Sequence, residues 1–242
     1  MNTNAGRAIQ GEFSPDSRFA FFTTGGSTLF ALDLTNNRTL TFNEQTNIAD
    51  LAVLANGPLT YLAQPGAINA VPNCNLQTGG IVDTQTVTAA SNMATVPNGS
   101  GVLAIDGTTL RYVKLTGVTQ TCPPAATEST VSIPLSFSSG SPTQLITDYS
   151  GARAVVGSSG KQIAVADLAA GTSKTVTLGA SATVAGVGDV TADSVTFYVG
   201  GSDNTIHKID LASGADTAQI AVSLKDANSA TVAPDLIAVR NK

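Results

Sequence analysis

The chain has 242 residues, 42% of them apolar and 12% charged, with 23 Gly and 10 Pro to punctuate short elements. This is ample apolar material for a core, which excludes a disordered chain, and the length suits one large all-β domain as well as two small ones. The net charge is −5, and the 12 Lys and Arg form no run or stripe, so the clustered cations that nucleic acid or an anionic membrane surface requires are missing.

In chain order, the first clear element is a hairpin. Ser14-Pro15-Asp16-Ser17 opens a turn, Phe19 to Phe22 is a β-rich run, and Gly25-Gly26 makes the next turn. Thr28 to Leu32 returns, then Asp33-Leu34 leads into a polar turn and a Thr-rich run from Arg38 to Phe42. The same plan recurs downstream. Short apolar runs at Leu51 to Leu54, Met93 to Val96, Leu145 to Ile146, Val187 to Val190 and Thr231 to Ala233 each precede a turn signal. Outer Thr-rich runs follow at Ile81 to Val87, Thr130 to Leu135, Thr175 to Leu178 and Thr217 to Val222. Residues 14–37 align without a gap on residues 191–214, and 148–171 repeat the plan with a turn one residue shorter. No apolar stretch approaches the roughly 18 to 20 residues needed to span a bilayer.

The turn residues Asp16, Gly57, Gly99, Gly151, Asp193 and Asp235 are separated by 41, 42, 52, 42 and 42 positions. A fixed period of this size marks a propeller or solenoid, whose units bury their faces against one another. Four strands and three turns fill the period. The inner runs Phe19-Ala20-Phe21-Phe22 and Ile163-Ala164-Val165-Ala166 are apolar on both faces, as strands covered on both sides can be. We therefore expect an all-β chain, a β-propeller of four-stranded antiparallel blades formed by residues 1–242 as one domain. About six blades are expected, five complete and one partial, or seven if upstream residues belong to the ring.

Cys74 and Cys122 allow one disulfide, in keeping with an oxidising compartment. Cys74 lies in the connection before the outer strand of the second repeat. Cys122 lies in the polar insertion Thr116 to Glu128, which lengthens the third. Adjacent blades would bring both loops to one side, while two unpaired thiols remain the alternative.

The pattern Ser14-Pro15-Asp16-Ser17-Arg18, strand, Gly/Ser/Asn turn, Leu32-Asp33-Leu34 resembles the bacterial YVTN-type propeller repeat. The likeness covers nearly the whole chain and is best at 13–42 and 187–222. It implies a module of a surface or secreted bacterial protein, often beside immunoglobulin-like modules, with no shared catalytic residues to carry over. Heavy Thr, Ser and Gly usage agrees with export, whereas Met1-Asn2-Thr3-Asn4 lacks the charged and apolar segments of a secretory signal.

Chemistry-bearing motifs are sparse. The lone histidine, His207, falls in a strand, which rules out multi-His zinc sites and suits a buried structural role. There is no Gly-x-Ser-x-Gly elbow and no phosphate-binding glycine loop. Asp33, Asp167 and Asp210 recur before Leu and read as turn acceptors. Asp203-Asn204 lacks the spacing of a calcium loop. Seven positions before each turn residue stand Ile9, Asp50, Asn92, Gln144, Gly186 and Asn228, at the start of each innermost strand. In a propeller these positions rim one channel mouth, so Asp50, Asn92, Gln144 and Asn228 are candidate contacts to a sugar, a peptide or a hydrated cation. Polar residues also simply precede strands in loops. Glu12 and Asp189, four before their turns, add charge on the same side.

The sequence thus leans away from an enzyme. It points to a non-catalytic protein-, peptide- or glycan-binding or display module, monomeric within a larger exported bacterial protein and needing no cofactor. The alternatives are a calcium-assisted, lactonase-like hydrolase at the channel mouth, and a structural spacer or oligomerisation unit.

Overall fold

The computed structural model describes residues 10–77, 80–179 and 182–239. All sheet neighbours are antiparallel, and contacts cluster into two compact units, Met1–Val131 and Ser132–Lys242. In the first unit, β1 (Gln10–Phe13), β2 (Phe19–Thr23), β3 (Thr28–Asp33) and β4 (Arg38–Asn43) form one meander. A six-stranded sheet follows, from β5 (Asp50–Val53), β6 (Leu59–Pro72), β7 (Asp83–Thr95), β8 (Gly101–Asp106), β9 (Thr109–Thr116) and β10 (Thr127–Pro134). The second unit holds two four-stranded meanders. One is β11 (Pro142–Thr147), β12 (Arg153–Ser158), β13 (Gln162–Asp167) and β14 (Thr172–Thr177). The other is β15 (Val184–Val190), β16 (Thr196–Gly201), β17 (Thr205–Asp210) and β18 (Ala215–Ala221).

The six-stranded sheet is two repeats run together. Fully extended, a strand of β6's length would span on the order of 45 Å. Instead the Asn73 N–H donates to Pro58 O at 3.0 Å, so the chain has folded back on itself. The reversal sits at Pro65-Gly66, where Gly66 takes φ +84, a value that favours glycine. β7 is continuous because no turn former interrupts Val87 to Ser91. Its first half, Asp83 to Ala89, pairs with β6, and its second half, Ala90 to Thr95, pairs with β8. Each repeat therefore keeps its four strands.

Among the described residues, apolar clusters lie between consecutive repeats within a unit. Phe21, Leu29 and Ala31 of the first repeat pack on Leu51, Val53 and Leu62 of the second. On the other face of the second repeat, Ala52, Tyr61 and Ala63 meet Val102, Ala104 and Val113. In the second unit, Val155, Ile163 and Val165 pack against Val190, Phe197 and Ile209. A sheet with neighbours on both faces buries every residue of its inner strand, as in β5. β3 alternates between buried and half-buried, and the stacked Phe22–Phe30 pair (5.1 Å) lies on its half-buried side.

Among the described residues the sixth repeat forms no named strand. Lys225 and Thr231 make an isolated bridge, and Leu236 makes a parallel bridge to Val187. Around it, the Val187 N–H donates to Asp235 O and the Ile237 N–H donates to Val187 O, both at 2.9 Å. No helix among the described residues is long and apolar enough to cross a membrane.

Candidate functional site

Two of the polar positions at the starts of the inner strands, Asp50 and Gln144, fasten one repeat to the next. Asp50 is buried; its Oδ1 accepts from the Leu51 N–H (2.8 Å) and its Oδ2 from the Met93 N–H (2.7 Å), one repeat downstream. Gln144, also buried, donates from Nε2 to Gly188 O (2.9 Å) and accepts from the Gly188 N–H at Oε1 (3.1 Å). A Cβ on Gly188 would run into Tyr198 O and the Phe197 ring, so the close approach requires glycine. Glu12 reaches one repeat forward to the Val53 N–H (2.7 Å), and Asp189 to the Val239 N–H (2.8 Å). Burial raises Glu12 to about 6, against hydrogen bonds from Val53 and Thr95 that lower it and with the Asp50 charge adding to the rise. Burial also raises Asp50.

Gln144 and Asp189 lie at bulges, whereas Asp50 and Glu12 sit in regular pairings. Register shifts occur at Ser91/Met93 in β7, Pro142/Gln144 in β11 and Ala185/Asp189 in β15. A β-bulge re-aims the side chain that it carries. Asn92 sits in the first of these with φ +41, and Gly186 in the third with φ +74. Asn228 lies elsewhere, exposed in a turn whose Asp226 carboxylate accepts from the Asn228 N–H (2.9 Å). Ile9 falls outside the described residues. Among those described, no group of three or more His, Cys, Asp or Glu is placed to hold a metal ion.

His207 has no exposed surface. Its Nδ1 lies 2.7 Å from Asp216 Oδ2, and its Nε2 lies 2.9 Å from Thr205 Oγ1. Asp33, Asp167 and Asp210 each accept backbone N–H groups two or three residues on. They terminate strands β3, β13 and β17 in the same way.

The open cleft in the first unit lies where the repeats stop matching. A space of about 340 Å³ is lined by Arg18, Phe19 and Arg38 on one side and by Asn73 to Gln77 and Gln120-Thr121 on the other. Arg18 and Arg38 flank the buried Asp33, at 3.5 and 3.7 Å from its Oδ2, and their side chains remain 48% and 60% exposed. The Asn36 amide, outweighing burial and aided by backbone donors and the Arg18 charge, holds the Asp33 carboxyl below its usual range. The Arg18 guanidinium lies 4.8 Å over the Phe19 ring. The far wall belongs to two insertions joined by the Cys74–Cys122 disulfide, whose Cα atoms are 6.0 Å apart. Where repeats one, four and five use a four-residue turn after the third strand, repeats two and three use residues 73–82 and 117–126.

A second pocket, of about 440 Å³, has two carboxyl groups in its wall. Asp83 and Glu128 are coupled: burial first, then Asp83, raises Glu128 to about 7, while Glu128 lowers Asp83. The buried Tyr61 hydroxyl donates to Glu128 Oε1 (2.8 Å), and Gln85 Nε2 bridges Asp83 Oδ2 (2.9 Å) and Glu128 Oε2 (3.1 Å).

Face-covered four-stranded repeats of one period have solved counterparts. Hydrazine synthase of Kuenenia stuttgartiensis superposes with a TM-score of 0.69 at 14% identity, over 95% of this chain and 69% of that one. The beta-propeller domain of Cps50 (Swd1) from Myceliophteria thermophila gives 0.62 at 14% identity, over 86% and 66%. The fold is a β-propeller. Dihydro-heme d1 dehydrogenase NirN also matches, with a TM-score of 0.64 at 16% identity over 88% of this chain, which spans 46% of that protein. No protein-family model matches the chain, and no curated protein does. At these identities the likeness carries the propeller and nothing of the neighbours' activities.

Neither the arginine cleft nor the carboxyl pair was found by register reasoning. The signal available was the departure of repeats one to three from the common pattern: two arginines beside the turn Asp, and two lengthened connections.

Proposed function

We propose that this propeller is a non-catalytic binding module of an exported bacterial protein, and that its ligand sits in the cleft walled by Arg18, Arg38 and the disulfide-tied loops. One observation carries this reading. Repeat architectures vary on the face that binds, where insertions collect, and here the insertions of two repeats and the extra arginines of a third converge on one polar space. The starts of the inner strands are less suited, because Asp50 and Gln144 already spend their polar atoms on backbone groups. An exposed disulfide suits an oxidising location, and the YVTN-like repeat pattern supports a surface or secreted setting.

The test is a glycan and peptide array probed with the oxidised protein and with the cleft-filling variants Asn75→Trp and Gln120→Trp. A ligand retained by the parent and lost by both variants is expected. A ligand held equally well by all three, or turnover of a ligand without stable binding, would overturn the proposal.

A further inference from the structure

We propose that the cleft recognises a carboxylate-bearing sugar, a uronic acid unit of an acidic glycan, through the paired guanidinium groups of Arg18 and Arg38. This inference rests on the binding-module reading above and names the ligand class for the same cleft.

The repeat supplies an internal control. Asp33, Asp167 and Asp210 end equivalent strands and satisfy equivalent turn N–H groups. The gap-free alignment of residues 14–37 on 191–214 puts Val195 where Arg18 stands, and the strand register puts Ala215 opposite Asp210 where Arg38 faces Asp33. The turn therefore folds without either arginine. Both are additions peculiar to the first repeat, and both line the cleft.

Their setting prepares them for a planar anion. Asp33 has no exposed surface and approaches one nitrogen of each guanidinium, Arg18 Nη2 and Arg38 Nε. An arginine carries five N–H donors in a fixed fork that matches a carboxylate. Donors on each group thus stay available to a ligand while the buried carboxylate lies within ion-pair distance of both.

Asp33 and the cleft residue Asp16 offset the formal charge of the two arginines, so recognition here rests on the directional guanidinium donors rather than on a net positive field. The far wall adds the amides Asn75, Gln77 and Gln120, groups of the kind that sugar hydroxyls pair with, although Gln120 Nε2 already donates to Asn56 O (3.3 Å) and the Thr121 hydroxyl to Pro123 O (3.0 Å). The apolar members of the lining, Phe19, Leu40, Pro58 and Leu76, offer a packing surface to the C–H face of a sugar ring.

Titration calorimetry of the oxidised protein at pH 7 tests the assignment with four probes: a galacturonic acid tetramer, its methyl ester, a tetraglutamate peptide and inorganic phosphate. The free acid should bind at least tenfold tighter than each of the others. Arg18→Gln and Arg38→Gln should each weaken it at least tenfold. Arg18→Lys, which keeps the charge and loses the fork, should weaken it at least threefold with the melting temperature little changed. Equal binding of acid and ester, tighter binding of peptide or phosphate, or full affinity in the arginine variants would overturn the uronate assignment. If the ester or peptide binds and Gln120→Trp abolishes that binding, the binding-module reading survives alone. No binding by any probe, together with an empty glycan and peptide array, would sink both.

Discussion

Gln144 shows how much one side chain holds at a propeller inner strand. Both its amide atoms are spent on Gly188, and both groups are buried, so removing them leaves a backbone donor and acceptor unpaired. Gln144→Ala should destabilise the fold by about 1–3 kcal/mol. Gln144→Glu is a sharper probe, since an ionised carboxylate cannot donate to Gly188 O. Its deficit should be large at pH 7.5 and shrink toward pH 4.5 in urea unfolding; a deficit independent of pH would contradict the assigned bonding. Glu12 and Glu128 respond to pH in their own right. Both carboxyls are raised in the folded chain, to about 6 and about 7. Their contribution is therefore full below the unfolded value near 4.5 and is lost as pH rises through the folded values. Unfolding free energy should fall by on the order of 1–2 kcal/mol between pH 5 and 8, discounted from the raw shifts because the Glu128 pocket is open to solvent. Glu128→Gln should flatten part of that slope. A parent protein more stable at pH 8 than at pH 5 would contradict the raised Glu12 and Glu128 carboxyls.

At the scale of elements, the strands were legible because turn formers and β-rich runs recur at one spacing. The hairpins Phe19 to Asp33 and Thr196 to Asp210 fall where that pattern puts them. The fusion of repeats two and three was not legible, since continuity of β7 depends on the absence of a breaker rather than on a positive signal. The bulges at Asn92, Gln144 and Gly186 announce themselves only as a polar or glycine residue at one register position, which a plain loop would also show. The disulfide closes a separation of 48 residues and ties the two insertions together. Loop-closure entropy gives about 4 kcal/mol for a cross-link of that span, before any native-state cost. Cys74→Ser with Cys122→Ser should lower stability by about 2–4 kcal/mol in guanidinium unfolding and weaken ligand binding in the cleft. Undiminished binding in the double variant would show that the loops hold their places without the bond.

Across the whole molecule, the repeat dictates that sheets cover one another's faces, and the clusters between consecutive repeats in each unit show that covering residue by residue. The candidate site was hidden for a matching reason. Reading a repeat means comparing equivalent positions, whereas the cleft draws on Arg18 and Arg38, which differ from their counterparts, and on residues 73–77 and 120–121 of two lengthened connections. The central claim is that these departures build one ligand-binding surface on an otherwise structural scaffold. Two-dimensional amide NMR of the oxidised protein, titrated with galacturonic acid tetramer, tests it most directly. The account predicts shift changes concentrated at Arg18, Arg38, Asn73 to Gln77 and Gln120-Thr121; changes centred on Asp50, Asn92, Gln144 and Asn228 instead would contradict it.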